Sequence, residues 1–315
     1  MPPPREQQLL VKAARLYYEE GRSQHEVAAA LEVSRSSVSR MLTAARERGI
    51  VQIRINDPTG RELELEGELT ARFALRDCRV GQTHGGERPL SRVGDLGARW
   101  LMENLHSGQR VGVSWGHSVQ AVVQHVPEEP ALDVEVLPLV GGLSSVDSSI
   151  TGEELVRDLA GRLGGQFQRL HSPALLTSKA GRDVLLAEPS IRDTLDAARR
   201  VHVGLVGIGS FGVGSSAALV KALELSGDEL AQFQESQPVG DVCARFFDTA
   251  GKPVPGPVDD RVLGISLDGL ASIPTVAGVA AGLDKVPGVL GALHTGVLDV
   301  LICDRSLARA LLDAR

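Results

Sequence analysis

Asp241 lies in VGDVCARFFD with apolar residues on both sides, and Lys285 follows AGVAAGLD at the start of a predicted helix. A carboxylate in such a setting can accept hydrogen bonds from hydroxyl groups. An ammonium at a helix start opposes the macrodipole, so it has a reason to be there if it meets an anion. Three turns have the composition to bring backbone donors close to a ligand. In SWGHS, an apolar run ends, Gly116 turns the chain, and His117 and Ser118 open a helix, the arrangement that binds anions. Gly141 and Gly142, followed by Ser144 and Ser145, close a second apolar run. Gly207, Gly209 and Gly212, with Ser210 among them, have GxGxxG spacing. A dinucleotide fingerprint needs a second strand ending in an acidic residue about 20 positions on. Here VGSS leads into a helical stretch reaching ELSGDELAQF, so the loop is a candidate ligand contact but not a dinucleotide site.

A different chemistry is written into residues 34–42, SRSSVSRML. Serine is a middling helix former whose hydroxyl competes for backbone bonds, so a run of serines suits a face lying close against something else. Val38, Met41, Leu42 and Ala45 recur at helical spacing, leaving Arg35, Ser36, Ser37, Ser39, Arg40 and Thr43 on the other face, with Ser34 as cap. Before it, SQHE places a capping box at Ser23, Gln24 and Glu26, and residues 7–20 carry an earlier apolar stripe ended by Gly21. A leading helix and two short helices joined by a tight turn make a helix-turn-helix whose third helix enters the major groove. Short hydroxyls let the backbone approach DNA, and Arg35 and Arg40 can neutralise phosphates or read guanine. The expected DNA contacts are therefore Ser23, Gln24, Ser34, Arg35, Ser36, Ser37, Ser39, Arg40 and Thr43. Glu32 stands in the turn where glycine is usual, which predicts strain or an altered turn. Residues 49–55, GIVQIRI, alternate like a strand and predict a wing or pairing strand.

These residues need elements to hold them. NDPTG breaks the chain, and 61–73 reads as a polar helix carrying Leu63, Leu65, Leu69 and Phe73. Such a helix either packs on its own domain or brings two DNA-binding arms together. Beyond residue 76, apolar runs (RVGVSW, DVEVLPLV, VHVGLVGI, RVLGISL, PTVAGVA, VLDVLICD) alternate with helical stretches at 93–105, 119–126, 152–163, 191–199 and 286–293. That alternation predicts a parallel sheet with helices on both faces and ligands beyond the carboxyl ends of its strands. The predicted divisions are a helix-turn-helix domain at 1–56, a linker helix at 57–75 and an α/β body at 76–315.

The net charge is −7, yet the first 55 residues hold nine Arg/Lys against six Glu and contribute +3, the remainder −10. A basic arm on an acidic body fits a protein that touches nucleic acid at one end. Three distant cysteines (Cys78, Cys243, Cys303) exclude a disulfide framework. No apolar run reaches the ~18 residues of a membrane span, and MPPPREQQ lacks a signal segment, so the expected location is the cytoplasm. The eight histidines form no metal motif and there is no GxSxG. Neither a metal nor a cofactor is expected.

The runs GRSQHEVAAALEVSRSSVSRMLTAARERGIVQIRI, VGVSWGHSV, LPLVGG, VGLVGIGS, GDVCARFFDTAGKPV, GISLDGL and AGLDKVPGVLGALHTGVLDVLICDRSLARALL follow one another over nearly the whole chain. Together they resemble the SorC family of bacterial sugar-responsive transcriptional regulators. The resemblance implies a winged-type helix-turn-helix followed by a Rossmann-like effector domain related to sugar-phosphate isomerases, glucosamine-phosphate deaminases and CoA transferases. It implies a homo-oligomer, dimer or tetramer, on operator DNA, with a sugar or sugar-phosphate effector and no membrane partner. Carried onto this chain, the phosphate loop corresponds to Gly116, His117 and Ser118. The glycine loops correspond to Gly141, Gly142, Gly207, Gly209 and Ser210, and the acidic and basic effector contacts to Asp241 and Lys285. The family's usual hydroxyl in the phosphate loop is replaced by His117, a weaker phosphate ligand when neutral, which opens the site to an unphosphorylated sugar or polyol. The reading is of a regulator rather than an enzyme. The alternative is a sugar-phosphate isomerase or deaminase with Asp241 as base and Lys285 as electrophile.

Overall fold

Serine caps and apolar stripes set the first helices. The structure, a computed structural model, describes residues 4–51, 60–83, 86–128, 132–143 and 151–314, with the side chains of 4–6 left aside. The chain divides into two compact units, Met1–Asp57 and Pro58–Arg315. In the first, α1 (Pro4–Ala14) runs on through a π-helical turn, Arg15–Glu19, to α2 (Gln24–Leu31) and α3 (Arg35–Glu47). Ser23 and Glu26 form the capping box on α2, and Ser34 caps α3. Ala13, Leu16, Val27, Ala28, Val38 and Leu42 close a core of their own.

The turn between α2 and α3 keeps its left-handed residue although glycine is absent. Glu32 adopts φ 52°, ψ 43°, and its N–H and that of Val33 return to the carbonyls at the end of α2. An L-residue in this region costs roughly 1–2 kcal/mol, so strain, not an altered turn, is what the substitution leaves. Glu32→Gly is expected to stabilise this unit by about 1 kcal/mol in thermal unfolding; an unchanged or lowered midpoint would show the turn unstrained. Of the strand expected over 49–55, residues 49–51 form a turn and bend, and 52–55 lie outside the described residues.

The second unit begins with α4 (Leu63–Phe73), β1 (Asp77–Gly81), α5 (Pro89–Asn104), β2 (Arg110–Val113), α6 (His117–His125), β3 (Glu135–Pro138), α7 (Gly152–Leu163) and β4 (Gln166–Phe167). It continues through α8 (Lys179–Ala187), α9 (Pro189–Ala198), β5 (Val203–Gly207), β6 (Gly209–Ser210), α10 (Gly214–Ala222), α11 (Gly227–Glu235), β7 (Gly240–Val242) and β8 (Arg245–Phe247). It ends with α12 (Leu267–Ala271), β9 (Thr275–Ala280), α13 (Val286–His294), β10 (Val300–Asp304) and α14 (Arg305–Asp313). Seven strands form one parallel sheet in the order β1-β10-β9-β5-β2-β3-β4, and β6-β7-β8 form a small antiparallel sheet. The chain is thus α/β with a mainly parallel sheet. β10 is buried at every position and β5 at all but its last, as expected of parallel strands covered by helices on both faces. Trp100, Leu137, Leu139 and Leu205 are fully enclosed at the centre.

α4 buries Leu69 in this core, with Leu65 and Phe73 beside it, and packs on β1 and α14. Arg72 donates to the carbonyls of Leu312 and Ala314. Residues 261–267, read as a strand, instead leave a 3-10 turn at Arg261, run as a loop over 262–266 and enter α12 at Leu267. Val262, Leu263 and Ile265 are buried there, so their apolar pattern reflects burial and not a ladder, and Gly264 makes only an isolated bridge to Val140. β1, with charged Asp77 and Arg79 at alternate positions, is an edge strand without the apolar run that marks the others. No described helix is long and apolar enough to cross a membrane.

Candidate functional site

β2 and β5 lie side by side, but the chain leaves them in opposite directions: β2 towards β3 and β4, β5 towards β9. Loops that diverge from neighbouring parallel strands leave a crevice at their carboxyl ends. A cavity of about 450 Å³ occupies it. Its walls are residues 115–118 after β2, residues 207–209 after β5, the first turn of α10, Asp241 and Cys243 of the β7–β8 hairpin, the segment after β9 that includes Gly282 and Lys285, and Arg88 at the start of α5.

Gly116 precedes α6 at φ 118°, a conformation that side chains rarely adopt, and the helix then starts at His117. No N-cap side chain bonds the start of α6 or α10; α13 lacks one too, but the Ser210 hydroxyl accepts its Gly288 N–H. Uncapped first-turn N–H groups want acceptors, and an anion supplies them. Asp241 is 6% exposed and takes a hydrogen bond from the Ser216 hydroxyl. A side chain at Gly209 would collide with both groups, so glycine is needed for their approach. Burial pushes the Asp241 carboxyl above its ordinary value; the Ser216 hydroxyl, the Lys285 charge and the Ala244 N–H pull the other way. The half-buried Lys285 ammonium makes no hydrogen bond or ion pair among the described residues.

The hairpin carrying Asp241 turns through Cys243 (φ 53°) and Ala244 (φ 61°). A two-residue turn with both residues left-handed normally takes Asn-Gly, and each non-glycine residue here costs on the order of 1–3 kcal/mol. Arg245, the next residue, anchors it. Its Nε donates to the Ile265 carbonyl (3.1 Å), and Nη1 donates to the carboxylate (2.7 Å) and carbonyl (3.0 Å) of Asp259. Nη2 donates to the carbonyls of Val262 (3.3 Å) and Gly264 (3.1 Å). Burial, with Asp241 nearby, pushes the Cys243 thiol well up, so it stays protonated.

Of the residues singled out from sequence, Gly116, His117, Ser118, Gly207, Gly209, Asp241 and Lys285 meet around this cavity. Gly141, Gly142 and Ser210 are not among its lining. Gly141 donates to the Leu263 carbonyl and Gly142 to that of Ser172, with the backbone at Pro173 pressed against Gly141. The Ser210 hydroxyl accepts the Gly288 N–H (3.3 Å). Ser144 and Ser145 lie outside the described residues. Ser216, Arg88 and Gly282 line the cavity without having been singled out. Ser216 had a signal, a hydroxyl opening a helix just after the glycine loop. Arg88 had none that set it apart from the other cations. Among the described residues no group of His, Cys, Asp or Glu is placed to hold a metal ion, and all three cysteines are free and buried.

In the first unit, Arg35, Ser36, Ser39, Arg40 and Thr43 are exposed along α3. The hydroxyls at its start are bonded to one another: Ser34 Oγ accepts the Ser37 N–H (3.1 Å) and pairs with Ser36 Oγ (2.9 Å) and Ser37 Oγ (2.8 Å). Arg40 Nε donates to the Ser36 carbonyl (3.3 Å), laying its guanidinium along the exposed face. Thr43 Oγ1 accepts from Arg46 (3.5 Å). Ser23 Oγ caps α2 and half-buried Gln24 begins it. The serines thus preorganise the helix start and leave the arginines outward.

Residues 57–313 match the family described as "Putative sugar-binding domain", and residues 3–48 match sigma-70 region 4. The chain is 32% identical to the sorbitol operon regulator of Klebsiella pneumoniae over 96% of its own length and 97% of the relative's. It is 31% identical to the deoxyribonucleoside regulator of Bacillus subtilis, covering 98% of each chain. The crystal structure of the full-length K. pneumoniae sorbitol operon regulator superimposes with a TM-score of 0.75 at 31% identity, covering 97% of this chain and 98% of that one.

Proposed function

The chain belongs to the SorC family of transcriptional regulators, and we propose that it controls a carbohydrate-metabolism operon through α3 on operator DNA and a sugar or sugar-phosphate effector in the β2–β5 cavity. One observation carries the effector reading: the buried Asp241–Ser216 pair, a Lys285 ammonium with no hydrogen bond or ion pair among the described residues, and the uncapped starts of α6 and α10 surround a single cavity. The carboxylate suits the hydroxyls of a sugar, and the helix starts and ammonium suit its anionic group. The effector acts on a cytoplasmic homo-oligomer, dimer or tetramer, by binding one arrangement more tightly than another. The relatives are named as regulators, which supports a regulatory cavity and not the isomerase alternative.

Thermal-shift measurements with matched pairs, sorbitol and sorbitol 6-phosphate, deoxyribose and deoxyribose 5-phosphate, test this. A native-state ligand at a hundredfold excess over Kd stabilises by about 2.7 kcal/mol. A shift from phosphorylated members alone supports an anion site at residues 116–118. A shift from free sugars alone assigns the change to His117, and turnover of any of them would restore the enzyme reading. No shift across sugars, polyols and their phosphates would sink the effector assignment.

Arg40→Ala is expected to weaken operator binding by about 1–3 kcal/mol with the ligand response intact. Operator binding at wild-type strength in a mobility-shift titration would remove α3 from the groove.

A further inference from the structure

Asp304, the last residue of β10, is 1% exposed. Its Oδ2 accepts the N–H of Gly282 (2.6 Å), which holds the segment carrying Lys285 in the cavity wall. Its Oδ1 accepts the N–H groups of Ser306 (2.9 Å) and Leu307 (3.1 Å) and so caps α14. One carboxylate therefore serves both the cavity wall and the start of a helix.

The next residue reaches elsewhere. Arg305 Nε lies 3.2 Å from the carboxylate of Glu62, the N-cap residue of α4, as an ion pair without hydrogen-bond alignment. The segment 60–62 is fastened to the carboxyl end of β1: Glu62 donates to the Val80 carbonyl (3.0 Å), Gln82 donates to that of Gly60 (3.0 Å), and Arg61 bridges Gly81. Gly81 sits opposite Asp304 in the ladder. These are the first described residues of the second unit, where the chain arrives from the helix-turn-helix.

We propose that Asp304 and Arg305 form a coupling element: Asp304 is a positioning residue for the cavity wall at Gly282, and Arg305 carries that position to Glu62. Ligand at Lys285 then alters the stability of residues 60–66 without touching them. This rests on the effector reading of the cavity. A chain of contacts alone does not demonstrate coupling, so the test must read a ligand-dependent change at the far end.

Hydrogen exchange on the full chain, with and without inorganic phosphate, sorbitol or sorbitol 6-phosphate as probes, provides it. In the wild type, a binding probe is expected to change exchange at both 282–288 and 60–66. In Arg305→Ala, and separately in Glu62→Gln, the probe's effect persists at 282–288 and most of it disappears at 60–66. A purely structural contact would speed exchange of 60–66 in free and bound protein alike and leave the difference between them intact, which overturns the proposal. So does a wild-type response confined to 282–288, which leaves the effector reading standing. No response at 282–288 with any probe overturns the effector placement at Lys285 and the coupling with it.

Discussion

Asp241→Asn raises the melting temperature at neutral pH while removing most of the effector response. The carboxyl is buried, and burial raises it above its ordinary value of 3.8 against the opposing pull of Ser216, Lys285 and the Ala244 N–H. An acid whose folded value lies above its unfolded one binds its proton more tightly in the native state. Stability is then greatest below 3.8 and falls as pH rises through the interval between the two values. At neutral pH, above the unfolded value, the wild type carries a burial penalty that the asparagine variant lacks. The same change replaces a carboxyl oxygen in the cavity with an amide. Losing a partner from a buried hydrogen bond costs about 1–3 kcal/mol, so ligand binding weakens roughly 5–150-fold. The check is the melting temperature of both proteins from acid to neutral pH, followed by ligand titration. A variant less stable at neutral pH, or one that binds ligand as the wild type does, would refute this account of Asp241.

Arg245→Ala lowers the stability of the second unit by about 3–5 kcal/mol. The guanidinium is almost fully buried and makes five hydrogen bonds, four of them to backbone carbonyls on the segment 259–265. Truncation leaves these acceptors and the Asp259 carboxylate without their donor, and frees the strained turn at Cys243 and Ala244 to relax. For a unit of this size each kcal/mol moves the midpoint by roughly 2–4 °C. Arg245→Lys recovers only part of the loss, because an ammonium has three donors and no planar fork. A midpoint shift for the alanine variant of under about 2 °C would mean that the segment is held by its apolar packing instead. Because Asp241 precedes this turn, the alanine variant also weakens ligand binding.

Much of this was legible from residue order alone. The 3.6-residue stripe of Val38, Met41, Leu42 and Ala45, with Ser34 before it, specifies α3 locally, because caps and stripes act within a few residues. The run 152–163 is equally local, and α7 occupies that span. The apolar runs that become β2, β3, β5, β9 and β10 were visible because strands buried on both faces need apolar residues at nearly every position. The same rule misread 261–267, which is buried mostly as a loop, and passed over β1, whose edge position tolerates Asp77 and Arg79.

The helix-turn-helix, the alternating α/β body and the glycine and hydroxyl turns at strand ends are written in periodicity and short-range chemistry, so residue order alone specifies them. Which turns share a cavity depends on how the strands assemble. Residues near 116, 208, 241 and 285 converge because β2 and β5 are neighbours whose connections diverge. Gly141 and Gly142, similar in composition, pack against residues 172–174 instead. Strand order is a long-range outcome of which faces bury together, and no local pattern encodes it. Asp241 comes to the Ser216 helix start through the β6–β7 pairing, and Asp304 to Gly282 through the β9–β10 pairing.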